Sequence, residues 1–126
     1  MDKPRILSVG QCSFDHRSIT RHLGETYGAE VAGADSKSQA LVTLRAGEFD
    51  LVLVNRVLDL DGTSGLDIIS AIKADPAFAG VPVMLVSNHE NAQVEAQSLG
   101  ALPGFGKSEL LRGAIPALDI VLARPV

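Results

Sequence analysis

The chain has 126 residues, of which 46% are hydrophobic and only 4% aromatic, with no tryptophan. That is enough for one core filled by Val, Leu, Ile and Ala, and it points to a single domain over residues 1–126. A net charge of −4, with eleven Lys and Arg scattered along the chain, leaves no basic stripe for a nucleic-acid backbone. No apolar run is long enough to cross a bilayer, and MDKPRILSVG lacks the apolar region of a signal peptide. The expectation is a cytoplasmic protein with neither a membrane nor a nucleic-acid partner. One cysteine, Cys12, excludes an internal disulfide and any multi-cysteine metal cluster.

In chain order, the apolar run Ile6 to Val9 predicts a first strand. Phe14, Ile19, His22 and Leu23 predict a helix to about Tyr27, ended by Gly28. Ala29 to Ala34 is a weak second strand. Ser36 or Ser38 caps a second helix bearing Ala40, Leu41 and Leu44, closed by Gly47. Phe49 to Val54 is the third strand. Ser64 to Ala74 forms a third helix with Leu66, Ile69 and Ile72 on one face, stopped by Asp75-Pro76. Val81 to Val86 is the fourth strand. Glu90 to Leu99 is a helix with an apolar face of Ala92, Ala96 and Leu99. Ala101 to Phe105, broken by Pro103 and Gly104, reads as an irregular fifth strand at an edge. Ser108 is expected to cap one last helix from Glu109 to about Arg124. Its buried stripe is Leu110, Leu111, Ala114, Ile115, Leu118, Val121 and Leu122, and Gly113, Ala117 and Ile120 face outward. Pro116 should bend that helix.

Strands alternating with helices predict an α/β fold, a parallel sheet with helices on both faces. In such sheets ligands and chemistry gather at the carboxyl ends of the strands, where strand order switches. Those ends carry Gly10-Gln11-Cys12, Asn55, Ser87-Asn88 and Lys107.

The segments FDLVLVN, GLDIISAIKAD, VPVMLVS, the LGA at Leu99 to Ala101, and GFGKSELL together resemble the receiver domain of bacterial response regulators, over essentially the whole chain. The resemblance implies a flavodoxin-like (βα)5 sandwich, a five-stranded parallel sheet of order 2-1-3-4-5. It also implies a non-enzymatic role in two-component signalling. In that family an aspartate ending the third strand accepts a phosphoryl group from a histidine kinase, and two acids after the first strand hold magnesium. A Ser or Thr and a Lys ending the fourth and fifth strands contact the phosphoryl oxygens. On this chain the hydroxyl and lysine roles fall on Ser87 and Lys107. The acceptor position falls on Asn55, the acidic pair on Gly10 and Gln11, and the switch aromatic on Gly104. The proline that commonly follows the lysine is Ser108, and the loop from Asn55 to Gly65 is two residues longer than usual.

A carboxamide is a poor nucleophile because its nitrogen lone pair is delocalised, so Asn55 should not be phosphorylated. Magnesium wants carboxylate oxygens that Gly10 and Gln11 do not offer, so its binding should be lost or weak and no cofactor is expected. The chain then reads as a degenerate receiver, a pseudo-receiver locked in one conformation, with Lys107 facing only neutral partners such as Asn55 and Ser87 unless Asp59 or Asp61 swings in. Its partners would be proteins, or a second copy, docking on the face made by the fourth helix, fifth strand and fifth helix.

Two other chemistries compete with this reading. Asp59 or Asp61 could be a displaced acceptor or rebuild a metal site, although carboxylates in turns are common without ligands. Cys12 follows the first strand, where small phosphatases of similar fold place their nucleophile. Here, however, only four residues separate Cys12 from Arg17, instead of the five such a loop needs. His16, His22 and His89 are too scattered for a metal site.

Overall fold

The computed structural model describes residues 3–110 and 115–122. Five parallel strands, β1 (Arg5–Val9), β2 (Glu30–Ala34), β3 (Leu51–Asn55), β4 (Val83–Val86) and β5 (Leu102–Phe105), form one sheet in the order β2-β1-β3-β4-β5. Alternate residues face opposite sides of the sheet, which is why the strands are apolar throughout. Leu7, Val9, Val52, Val54 and Leu85 pack beneath α2 (Lys37–Ala46), α3 (Gly65–Ala74) and α4 (Glu90–Ser98). On the other face, Ile6, Leu51, Leu53, Met84 and Phe105 pack against α1 (Ser13–Tyr27) and against a carboxyl-terminal stretch containing α5 (Lys107–Leu110) and α6 (Pro116–Leu122). Among the described residues no helix is long and apolar enough to cross a membrane.

The helix starts are set by short polar side chains. Ser36, rather than Ser38, caps α2 by accepting from Gln39 N–H at 3.1 Å, and Ser64 caps α3. His89 caps α4, its Nδ1 accepting from Ala92 N–H at 3.2 Å. Gly28 ends α1 in the left-handed conformation at φ 66°. The α1 and α6 helices are tied by Tyr27, whose hydroxyl donates to Asp119 Oδ1 at 2.6 Å. Burial first, then this hydrogen bond, pushes the phenol up to about 12.

The departures from the sequence reading have local causes. β3 begins at Leu51 and extends to Asn55, and β4 begins at Val83, after Pro82, which has no N–H for the ladder. α4 stops at Ser98, leaving Leu99 on the surface rather than on the buried face. Ile68 joins Ile69 and Ile72 in the core, while Leu66 is only half-buried. β5 is an edge strand, as expected, and its pairing with β4 slips between Met84 and Val86.

The single last helix is the largest correction, because Pro116 opens α6 instead of bending a longer helix. At the first helical position its missing N–H leaves no bond unmade. Ser108 lies inside α5 rather than before it, its Oγ donating to Asn88 Oδ1 at 3.2 Å. Glu109 Oε1 instead accepts from Gly106 N–H at 3.1 Å. Leu110, Ile115, Leu118 and Leu122 are buried as expected. Ile120 is exposed, whereas Ala117, expected to face outward, packs partly against the core. Leu111, Gly113, Ala114 and the expected helix end near Arg124 lie outside the described residues.

Candidate functional site

The strand order reverses beside β1, and the carboxyl ends of β1, β3, β4 and β5 bring Gly10, Gln11, Asn55, Ser87 and Lys107 to one end of the molecule. Asn55 is the last residue of β3, half-buried and in register with Val86. Its Nδ2 donates to the Gly10 carbonyl at 3.1 Å, and the same oxygen accepts from Asp59 N–H at 2.9 Å. Gly10 in turn donates to Ala34 O at 2.8 Å.

The backbone at Gly10 is left-handed, φ 78°, and Leu58 is folded over it and wholly buried. A Cβ on Gly10 would collide with the Leu58 side chain, 2.8 Å from Cδ1 and 3.1 Å from Cα. Position 10 is therefore not merely without an acid; its present packing has no space for one. Gln11 is buried at 6% exposure, and neither atom of its amide has a hydrogen-bond partner among the described residues.

The loop after β3 forms a small hairpin. Val57 bridges Ser64, Leu58 N–H donates to Thr63 O, and Gly62, at φ 73°, donates to Leu58 O. Asp61 Oδ1 accepts from Thr63 N–H at 3.0 Å, and the bonds to Thr63 hold its carboxyl below the usual range. Asp61 is thus a turn residue on the surface, and Asp59 sits on the β2 side of the site. Neither lines the cavity of about 210 Å³ that contains Asn55, Arg56, Ser87, Asn88 and Lys107.

Lys107 has an acidic partner, contrary to the sequence reading. Its Nζ donates to Asp15 Oδ2 at 2.5 Å. That hydrogen bond is the main reason the Asp15 carboxyl lies below its ordinary value. Asp15 was not singled out because a contact spanning 92 positions has no local signature. The available signal was an acid in the first turn of α1, just beyond the end of β1. The charge of Lys107 is balanced from the helix side, not by an acid at the ends of β1 or β3.

A second missed residue is Gln93 on α4. Its Nε2 donates to Leu85 O at 2.9 Å and Ser87 O at 3.0 Å, and its Oε1 accepts from Gly104 N–H at 3.1 Å. One side chain therefore staples α4 to the ends of β4 and β5. Gly104 admits no side chain, because a Cβ would overlap the Leu85 carbonyl oxygen and approach Gln93 Oε1 at 2.9 Å. The Ser87 hydroxyl accepts from His89 N–H at 3.0 Å, which ties it to the start of α4.

Cys12 is the cap of α1, its Sγ accepting from Asp15 N–H at 3.4 Å, while Arg17 lines a separate surface hollow with Phe14, Ser18 and Arg21. Among the described residues no three His, Cys, Asp or Glu converge in a way that could hold a metal. A concavity of about 740 Å³ is at the opposite pole, where Arg5 lies 4.8 Å over the Phe49 ring.

Comparison with known proteins agrees with this architecture. The response regulator receiver domain family matches residues 13–105, a span that includes Asn55 and Ser87 but not Gly10, Gln11 or Lys107. The chemotaxis protein CheY of Pseudomonas aeruginosa is 32% identical over 83 residues, 66% of this chain, and the match spans 65% of that protein's length. Two crystal structures share the fold. A response-regulator candidate from Chloroflexus aurantiacus has a TM-score of 0.81 at 19% identity, over 98% of this chain and all of that one. The chemotaxis response regulator CheY4 of Vibrio cholerae has a TM-score of 0.76 at 18% identity, over 96% of this chain and all of that one. On its sequence match, and with a parallel sheet of order β2-β1-β3-β4-β5 to carry it, this chain belongs to the response regulator receiver domain family.

Proposed function

We propose that this receiver domain signals through protein contact without being phosphorylated itself. The observation that carries the reading is the group delivered at the end of β3. It is a neutral amide, donating to the Gly10 carbonyl, where phosphoryl chemistry needs a charged oxygen nucleophile. The surroundings support it. A magnesium ion prefers carboxylate oxygens, and Gly10, Gln11 and Asn55 supply no carboxylate, so the donor set does not fit the ion.

The same neighbourhood supports a locked conformation. Gln93 spans α4, β4 and β5, and Ser87 is held by His89 N–H. Lys107 is paired with Asp15, and the switch position carries a glycine with no room for an aromatic ring. A protein partner or a second copy would dock on the face made by α4, β5 and α6, where Val94 is 65% and Ile120 82% exposed and Leu99 and Leu102 also reach solvent.

The test is intact-mass measurement after incubation with Mg²⁺ and a small phosphodonor. No adduct is expected for the native chain, and Asn55→Asp alone should not restore efficient phosphorylation, because position 10 still lacks its acid. A stoichiometric phosphoryl adduct on the native chain would overturn the reading.

A further inference from the structure

A second site lies beside the first, between the loops that follow β1, β2 and β3. It is a cleft of about 420 Å³, lined among others by Ser8, Gln11, His16, Asp35 and Asp59. That volume lies within the range of small-molecule pockets, and the position adjoins the switch in strand order where doubly wound sheets bind ligands.

Two lining side chains are buried without partners. Ser8 is 1% and Gln11 6% exposed, and the Ser8 hydroxyl and both Gln11 amide atoms make no hydrogen bond with the described residues. Such groups are rare, because a buried polar atom left unsatisfied gives up its hydrogen bonds to water and gains none in return. The Gln93 amide, by contrast, makes three hydrogen bonds.

The lining also discriminates by charge. Asp35 and Asp59 stand at the cleft, and among the described residues no Lys or Arg lines it, so an anion is disfavoured. Among the described residues no three metal-ligating groups converge, which disfavours a bare metal ion. The ring of His16 lies against Gly33, where a Cβ would come within 3.0 Å of it, so the glycine gives this wall its room.

We propose that this cleft binds a small organic cation, an amine or guanidine compound that also carries a neutral hydrogen-bonding group. Its charge faces Asp35 and Asp59, and its neutral group meets the Gln11 amide and the Ser8 hydroxyl. This goes beyond contact signalling, and it stands whether or not Asn55 is inert, because it concerns equilibrium binding and not a covalent adduct.

L-argininamide, which has a guanidinium, an ammonium and a neutral carboxamide, is a suitable probe. Titrated into the ¹⁵N-labelled full chain, it should give saturable shifts at the backbone amides of Gln11, Asp35, Asp59 and Leu60. Inorganic phosphate and Mg²⁺ should not. Gln11→Leu should weaken binding about tenfold, the equivalent of one good hydrogen bond to the ligand's neutral group, while leaving thermal stability undiminished. Asp35→Asn with Asp59→Asn should weaken binding and remove its salt dependence, and this pair decides the matter if Gln11→Leu does not fold. The proposal is overturned by the absence of saturable shifts, by shifts confined to other surfaces, by a preference for phosphate or Mg²⁺, or by undiminished affinity in the variants.

Discussion

Gly10→Ala measures how strongly the present packing excludes an acid from position 10, since any acid there begins with the same Cβ. Two costs add. A left-handed backbone at φ 78° costs a non-glycine residue about 1–2 kcal/mol. Overpacking against Leu58 costs about 1–3 kcal/mol more. The native background should therefore lose about 2–5 kcal/mol, a large share of the roughly 5–15 kcal/mol available to a domain. In a Leu58→Ala background the colliding side-chain atoms are gone, and the cost of Gly10→Ala should fall to about 1–2 kcal/mol of backbone strain. The coupling in the double-mutant cycle is then about 1–3 kcal/mol. Urea unfolding of the four proteins, followed by circular dichroism, gives each term. A stabilising osmolyte keeps a native baseline, because Leu58→Ala alone should cost about 2–5 kcal/mol. An equal cost in both backgrounds refutes the packing argument, and a native-background cost below about 1 kcal/mol refutes the strain argument as well.

Three further outcomes follow from other contacts. Gln93→Met keeps the volume but removes three hydrogen bonds, so it should cost about 1–3 kcal/mol and speed hydrogen exchange at the Gly104 amide, an effect that NMR exchange rates will show or refute. Asp15→Asn should cost under about 1 kcal/mol at neutral pH because the pair is partly exposed. The Asp15 carboxyl is held below its ordinary value, so its contribution is present above that value and lost as the pH falls through and below it. Urea unfolding of both proteins should thus show their stability gap closing in acid, and a gap that widens there contradicts the pairing. Ile120→Glu should abolish any self-association detected by light scattering while leaving unfolding stability unchanged, because that side chain is on the surface.

The sequence by itself determined the layers, the strand sites and the residue types that the strands deliver at their carboxyl ends. Apolar runs of four or five residues separated by helical periodicity leave few alternatives to a parallel sheet covered on both faces. The absence of a carboxylate at Gly10, Gln11 and Asn55 is a property of composition that needs no coordinates. Local signals also fixed most helix ends, as at Ser36, Ser64 and Gly28. They failed at the carboxyl terminus, where Pro116 is equally consistent with a kink and with a first helical residue.

Only the tertiary structure decided what surrounds these residues. The Asp15–Lys107 pair, the Gln93 staple and the collision of a Gly10 Cβ with Leu58 each join residues that are distant in the chain. The unpartnered Gln11 amide is of the same kind, since whether a polar atom is satisfied depends on neighbours from every loop packed against it. Periodicity reports which face of an element is buried. It carries no information on which side chain from another element arrives there, and hydrogen bonds and charge pairs depend on that arrival.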